Sequence, residues 1–128
     1  SEYMRRMDST VETQFHHHII GILFDINEIY MEWKSEVIIT SGSEPTARHG
    51  YKSLHYAKPA RAVDIRIWEI KLVPDKQVQF TAVKLLRDAY CKKYGIPRDW
   101  LEVHLEKTHI HIEYQPKRQD HLLATSRN

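Results

Sequence analysis

Two short runs near the end of the chain constrain the fold most, because apolar and polar residues alternate strictly in both. In "LEVHLE" (101–106) and "HIHIEY" (109–114), every second residue is apolar. Successive side chains of a β-strand point to opposite faces, so each run predicts a half-buried strand. Since only two residues separate the runs, we expect them to pair as a hairpin. One face of that hairpin would carry His109, His111 and Glu113 together.

Helical periodicity indicates two helices elsewhere in the chain. Apolar residues recur at helical spacing over residues 9–30, and the polar residues 8–10 offer N-cap chemistry at the start of this pattern. A second helical pattern covers residues 75–94 and stops at Gly95. The expected apolar face of this second helix contains Val78, Ala82, Leu85, Leu86, Ala89 and Tyr90.

Two further runs predict the rest of the sheet. "EVIITSGS" (36–43) is a β-branched run that leads into a polar loop over residues 43–51, and "RAVDIRIWEIKLV" (61–73) alternates as a half-buried strand does. The order helix, strand, loop, strand, helix, hairpin predicts an α+β fold with a small antiparallel sheet flanked by helices. We expect residues 1–128 to form a single domain, with residues 115–128 as a frayed tail.

Composition excludes several classes of protein. With 41% hydrophobic and 28% charged residues, the chain is expected to be globular rather than disordered. Its net charge of +2 is too small and too scattered to favour a nucleic-acid partner. No apolar run approaches the ~20 residues of a membrane helix. The N-terminal residues also lack the apolar core of a signal peptide, so we expect no membrane partner and a protein that is cytoplasmic as synthesised.

Cysteine is scarce in this chain and histidine is abundant. Cys91 is the single cysteine, which rules out an intramolecular disulfide, and its place in the second helical pattern predicts a buried, inert thiol. Histidine occurs nine times. The run His16–His18 is interpreted as part of the first helix, with a tag remnant or an accidental metal-binding patch as the alternative.

Histidines and carboxylates from two distant segments could together hold a metal ion. A hydrolytic zinc site takes three ligands from His, Asp or Glu and leaves its fourth position to water. His55, Asp64 and His111 would supply such ligands. Glu106 would add a carboxylate base, and His109 a proton donor or oxyanion partner. Each residue also has an ordinary structural role, such as a salt bridge for Asp64, so spacing alone leaves both interpretations open.

Two motifs resemble those of a known family. "SLHYAKPARAVDIR" (53–66) resembles the Ser-x-His-x-x-Gly-x-Ala-x-Asp motif of the zinc D-alanyl-D-alanine carboxypeptidase group. That group includes phage L-alanyl-D-glutamate endopeptidases and shares its fold with the hedgehog signalling domain. "HIHIEY" resembles the family's closing His-x-His strand, and "ITSG" (39–42) resembles the strand and loop that precede the first motif. The resemblance covers about residues 38–114 and implies a fold of the hedgehog and D-Ala-D-Ala-peptidase type.

The resemblance implies one zinc ion per chain and a role for each matching residue. His55, Asp64 and His111 match the family's three zinc ligands in order. His109 matches the first histidine of the His-x-His pair, which is expected in the active site but off the metal. Zinc is favoured over manganese or iron by two imidazoles with one carboxylate.

Two loop residues complete the site that the resemblance implies. Ser53 lies where the family has a serine that supports the first histidine or the metal-binding loop. Arg48 is the candidate for the basic residue that grips the carboxylate or carbonyl of the substrate. Both are expected to bind or position substrate rather than metal.

The chain departs from the family pattern at two positions. Eight residues separate His55 from Asp64, a longer spacing than the family's, and "AKPA" replaces its glycine turn. Thr108 stands where many relatives have their catalytic carboxylate, so Glu106, placed as in hedgehog domains, is the expected substitute. An alternative register pairs Glu106 with His109 as carboxylate and ligand.

The implied function is hydrolysis of a peptidoglycan stem-peptide bond next to a D-amino acid. Activated water would attack the scissile carbonyl, with Glu106 as base and His109 at the oxyanion. A catalytically inactive zinc-binding or peptide-binding module is the alternative, and a domain without metal is the third hypothesis. A phage endolysin released to the cell wall or a cytoplasmic dipeptidase would suit this chain, and nothing in the sequence indicates its oligomeric state.

Overall fold

The computed structural model describes residues 5–43 and 54–117 and has the expected α+β architecture. Over these residues, two helices accompany one five-stranded sheet. The elements in chain order are β1 (Arg5–Arg6), α1 (His17–Glu32), β2 (Ile38–Ser41), a 3₁₀ turn (Leu54–Tyr56), β3 (Ala62–Arg66), α2 (Lys76–Tyr94), a second 3₁₀ turn (Arg98–Trp100), β4 (Leu101–Leu105) and β5 (His109–Tyr114). Neither α1 nor α2, the helices in the part of the chain that is described, combines the length and apolar composition needed to cross a bilayer.

The sheet is mixed rather than wholly antiparallel. Its strand order is β1-β2-β3-β5-β4, in which β1 pairs parallel to β2 and the other neighbours are antiparallel. The predicted hairpin is present as β4 and β5, joined at residues 106–108. Strand β1 has only two residues, which are too few to show an alternation of apolar and polar side chains. The sequence therefore did not indicate the parallel pair.

One face of the sheet packs into the hydrophobic core. Ile65 pairs with Ile110 and Val63 with Ile112, so all four side chains point to the same side. They belong to a fully buried cluster with residues of α1. The main contributions from that helix are Ile19, Ile22, Leu23, Ile26 and Tyr30. Full burial of one such side chain stabilises the fold by about 1.5–3 kcal/mol. The intervening residues of β3 and β5 therefore point to the opposite face.

Helix α1 begins at His17, later than the start predicted near Ser9. The preceding backbone is engaged elsewhere: Ala60 N–H donates to the Gln14 carbonyl (2.9 Å), and His16 N–H donates to the Ala60 carbonyl (2.8 Å). A backbone that bridges to a distant residue in this way cannot also form the first turn of a helix. The His16 ring accepts from the backbone N–H of His18 (3.1 Å), so the histidine run, which was expected within the helix, instead caps and opens it.

Helix α2 has the predicted ends. The Asp75 carboxylate accepts from the Gln77 backbone N–H (2.8 Å), which satisfies one of the free donors of the first turn. Gly95 ends the helix with φ 69°, a left-handed conformation in which glycine carries no Cβ penalty.

The buried face of α2 differs from the predicted one. Val78 and Leu85 were expected to be buried, but they are 52% and 64% exposed. Gln79, Val83 and Cys91 are buried in their place. Apolar spacing indicates the approximate apolar face of a helix. The elements that pack against the helix decide which residues near that face are buried. The prediction for Cys91 is confirmed, since its thiol is buried, and burial raises its pKa.

Replacement of Gln79 by leucine should destabilise the fold. Its buried amide nitrogen donates to the carbonyls of Ile67 (3.0 Å) and Val73 (2.8 Å), and leucine of similar size leaves both without this donor. We expect a loss of about 2 kcal/mol in the free energy of unfolding, measured by urea denaturation. Gln77→Leu on the exposed side of the same helix is the control, and equal effects of the two substitutions would contradict the role of Gln79.

Candidate metal centre

His55 directs one ring nitrogen toward Asp64, because its other ring nitrogen is held by the backbone. The residue lies in the 3₁₀ turn before β3 and is 3% exposed. Its Nδ1 is 2.8 Å from the Gly42 carbonyl oxygen. A carbonyl can only accept, so in the neutral ring Nδ1 carries the proton and Nε2 keeps its lone pair. Nε2 faces Asp64 Oδ1 at 3.7 Å, so the unprotonated nitrogen points into the centre.

The pairing of β3 with β5 brings Asp64 and His111 together. The two residues are direct partners across the antiparallel ladder, on the face opposite the core. His111 Nδ1 lies 2.7 Å from Asp64 Oδ1, and Asp64 is 6% exposed. A one-residue slip in register would separate this pair. The slip is disfavoured because it would also move the apolar side chains of the strand out of the core.

The long connection between His55 and Asp64 is closed by backbone contacts. Arg61 N–H donates to the Leu54 carbonyl (3.0 Å), so the extra residues form a compact loop. Ala60 in that loop also bridges to Phe15, before α1. The longer spacing, noted as a departure from the family motif, does not keep the two side chains apart.

Together the three side chains form a donor set of metal-site dimensions. One potential ligand atom from each of His55, Asp64 and His111 lies within 4.8 Å of the others. Ligands about 2.1 Å from one zinc ion in tetrahedral geometry are themselves about 3.4 Å apart. The observed separations from Asp64 Oδ1, 3.7 Å and 2.7 Å, bracket that value. This buried His-Asp-His group could therefore bind a metal ion after only small shifts of its side chains.

Glu113 contacts the outer nitrogen of His111, a role that the sequence interpretation did not assign. Its Oε1 lies 3.0 Å from His111 Nε2. Histidine ligands commonly donate their second N–H to a carboxylate, which fixes the ring orientation and raises the basicity of the ligand. The signal was present in the sequence, because residues two apart in a strand share a face.

The pKa values of Asp64, His111 and Glu113 are all shifted by their contacts in the centre. Burial alone would raise the pKa of Asp64, but the hydrogen bond with His111 and the proximity of His55 and His109 outweigh burial and hold this pKa well below its usual range. Burial alone would lower the pKa of His111, but hydrogen bonds to Asp64 and Glu113 raise it to about 9. The hydrogen bond from His111 lowers the pKa of Glu113. A cation at Nδ1 of His111 would take the place of the proton there.

His109 lies beside the centre, as expected for the first histidine of the pair. Its Nε2 is 3.7 Å from Asp64 Oδ1, and its Nδ1 is 3.1 Å from the hydroxyl of Thr108. Among the described residues, the group that converges on one point includes His111 rather than His109. The geometry therefore favours His111 over the alternative register for the third ligand.

The remaining candidate residues lie outside this group. Glu106 is exposed in the loop between β4 and β5, and its backbone N–H donates to the His109 carbonyl (2.9 Å). Its assignment as the base stays a prediction. Ser53 and Arg48 fall outside the described residues, so their substrate-binding roles stay predictions as well.

Gly42→Ala should weaken metal binding without replacing a ligand. A Cβ at this position would collide with the backbone oxygen of Glu12, so the strand end must shift, and with it the carbonyl that orients His55. We expect zinc affinity to fall about 10- to 100-fold in competition with a chromophoric chelator. Gly95→Ala, at the remote end of α2, is the control. Unchanged affinity in Gly42→Ala would argue against orientation of His55 by this carbonyl.

Comparison with known proteins does not assign the chain to a family. The chain matches no protein-family model, and no curated protein matches it significantly. The motif resemblance to the zinc peptidase group therefore stays a prediction. The argument for function depends on the residues of the centre.

Proposed function

We propose that the protein is a zinc-dependent peptidase that hydrolyses a peptidoglycan stem-peptide bond next to a D-amino acid. The observation that carries this proposal is the convergence of His55, Asp64 and His111 from two distant segments of the chain. These residues match the three ligands of the peptidase motif in order. If the three side chains did not form a metal site, the position of each one would need a separate explanation.

The ligand set supports a hydrolytic rather than a purely structural zinc site. Structural sites usually have four protein ligands, whereas catalytic sites have three and leave a position for water. His55 and His111 would contribute imidazole nitrogens and Asp64 a carboxylate oxygen. Bound zinc would supply a Lewis acid for the scissile carbonyl and water with a pKa lowered toward ~7.

The neighbouring residues would handle protons and charge. In this proposal Glu106 accepts a proton from the attacking water and returns it to the leaving amine. His109 donates a hydrogen bond to the oxyanion, which its position beside Asp64 supports. Arg48 and Ser53 would bind or position the peptide through its polar groups.

Metal-dependent cleavage of defined muropeptides tests the proposal. Chelator-treated protein and protein reloaded with one equivalent of zinc are incubated with stem peptides that contain L-Ala-D-Glu and D-Ala-D-Ala bonds, and products are identified by mass spectrometry. We expect cleavage beside a D-residue only after zinc is restored. The all-L peptide of the same sequence is the control and should stay intact. Equal cleavage with and without metal would reject the proposed mechanism.

A second candidate is a zinc-binding or peptide-binding module without catalysis. Thr108 favours it, because threonine stands where many members of the resembled family have an acid. The exposure of Glu106, the only substitute identified, favours it too. Stoichiometric zinc binding together with saturable binding of muropeptides, but no product by mass spectrometry, would select this candidate.

A further inference from the structure

We propose that the β4–β5 hairpin carries a second divalent-cation site, formed by Glu102, His104 and Glu113. One potential ligand atom from each of these residues lies within 4.8 Å of the others, as is also true of the His-Asp-His centre. The inference goes beyond the proposed peptidase, since it requires neither catalysis nor occupation of the first centre.

The register of the hairpin creates this second group. Glu102 and Glu113 are direct partners across the antiparallel ladder, and His104 follows Glu102 by two residues on the same face. His104 is in turn the direct partner of His111, and their rings are stacked with centroids 6.2 Å apart. The second group therefore borders the first centre along the same surface of the sheet.

The placement of the two carboxylates is costly unless positive charge lies between them. Like charges directly opposite each other in a strand pair destabilise the pair. His111 offsets part of this through its contact with Glu113, whose side chain is 21% exposed. Glu102 faces the other carboxylate directly across the strand pair. A bound cation would relieve the repulsion directly.

The donor set indicates the class of cation and its relative affinity. One imidazole and two carboxylates suit zinc and its neighbours among the first-row divalent metals. His104 is exposed and Glu102 is half-buried, whereas His55 and Asp64 are buried. Exposed ligands stay hydrated and less constrained, so the hairpin site should bind more weakly than the His-Asp-His centre.

The two sites share a carboxylate contact and should oppose each other. Glu113 would coordinate the second cation, yet its Oε1 also contacts His111 Nε2 at 3.0 Å. A cation at the hairpin would compete for that oxygen and would repel a cation at the first centre. By thermodynamic linkage, each ion then lowers the affinity of the other by the same factor.

Cobalt titration of the full chain tests the proposal. Calorimetry with Co²⁺ should resolve a tight and a weaker equivalent in the unmodified chain. His104→Gln should remove the weaker one, or lower its affinity by at least roughly tenfold, and should leave the first unchanged, because the tight site fills before the hairpin site. His55→Ala should remove the tight equivalent and leave the weaker one. This separates failure of the hairpin site from failure of the proposed zinc centre.

The histidine run at the start of α1 supplies the necessary control. His17 is exposed and could bind cobalt by itself, so His17→Gln is titrated in parallel. We expect both equivalents to persist in this variant. A single equivalent in the unmodified chain, or a weaker equivalent that survives both His104→Gln and Glu102→Gln, would overturn the proposal. Loss of the weaker equivalent in His17→Gln would overturn it as well.

Discussion

His55→Ala is expected to abolish tight zinc binding. The substitution removes one of the three candidate ligands, and the nitrogen lost is the one that faces Asp64 while the Gly42 carbonyl holds the other. Loss of an orienting contact alone costs about 10- to 100-fold, so loss of a ligand should lower affinity by more than roughly 100-fold. Competition with a chromophoric chelator measures the change, and His17→Ala is the matched histidine control.

Thermal unfolding separates this effect from a general loss of structure. His55 is buried, so alanine leaves a cavity and lowers the stability of the metal-free protein. Zinc at 100 times its dissociation constant should stabilise the unmodified chain by about 2.7 kcal/mol, and should leave the melting of His55→Ala unchanged. An equal zinc-induced shift in both proteins would show that the ion binds elsewhere.

Glu106→Gln is expected to remove turnover and to leave zinc binding intact. Glutamine keeps the size of the side chain but cannot accept the proton of water, and a general base contributes about 10²- to 10⁴-fold to the rate. The measurement is kcat for muropeptide cleavage beside the zinc content of the same sample. Lys107→Gln, the exposed neighbour in the same loop, controls for changes in the hairpin.

Full activity in Glu106→Gln would remove this residue from the mechanism. Two titratable side chains beside the ligand group would then be the candidates, Glu113 at 3.0 Å from His111 and His109 at 3.7 Å from Asp64. Loss of zinc together with loss of activity would instead assign Glu106 a part in the structure of the site.

The elements that were predicted correctly are those encoded by neighbouring residues. Alternation identified β4 and β5, because a strand's two faces are specified by every second side chain. Asp75 and Gly95 marked the ends of α2, because capping is a contact within one turn and a left-handed φ favours glycine wherever the chain needs it.

The predictions that failed concern contacts between distant residues. The start of α1 is set by the bridge from Phe15 to Ala60, and no residue near Phe15 signals that partner. The covered side of α2 depends on what packs against it, which left Val78 and Leu85 exposed. Strand β1 exists only because β2 offers a free edge for two residues to pair with.

The candidate centre combines both kinds of information. His55, Asp64 and His111 were identified from their motifs, but the motifs contain no distance between them. Their convergence depends on the β3–β5 register and on the Gly42 carbonyl that orients His55. The link from Glu113 to His111 was not identified, because a shared strand face permits such a contact without requiring it.

The sequence alone determined which side chains could bind a metal ion and which segments would be strands, since both follow from residue type and local periodicity. Only the tertiary structure decided that an imidazole from the turn before β3, a carboxylate from β3 and an imidazole from β5 meet at one point. The physical reason is that strand pairing and core packing are cooperative over the whole chain, so the separation of two remote side chains is a property of the fold.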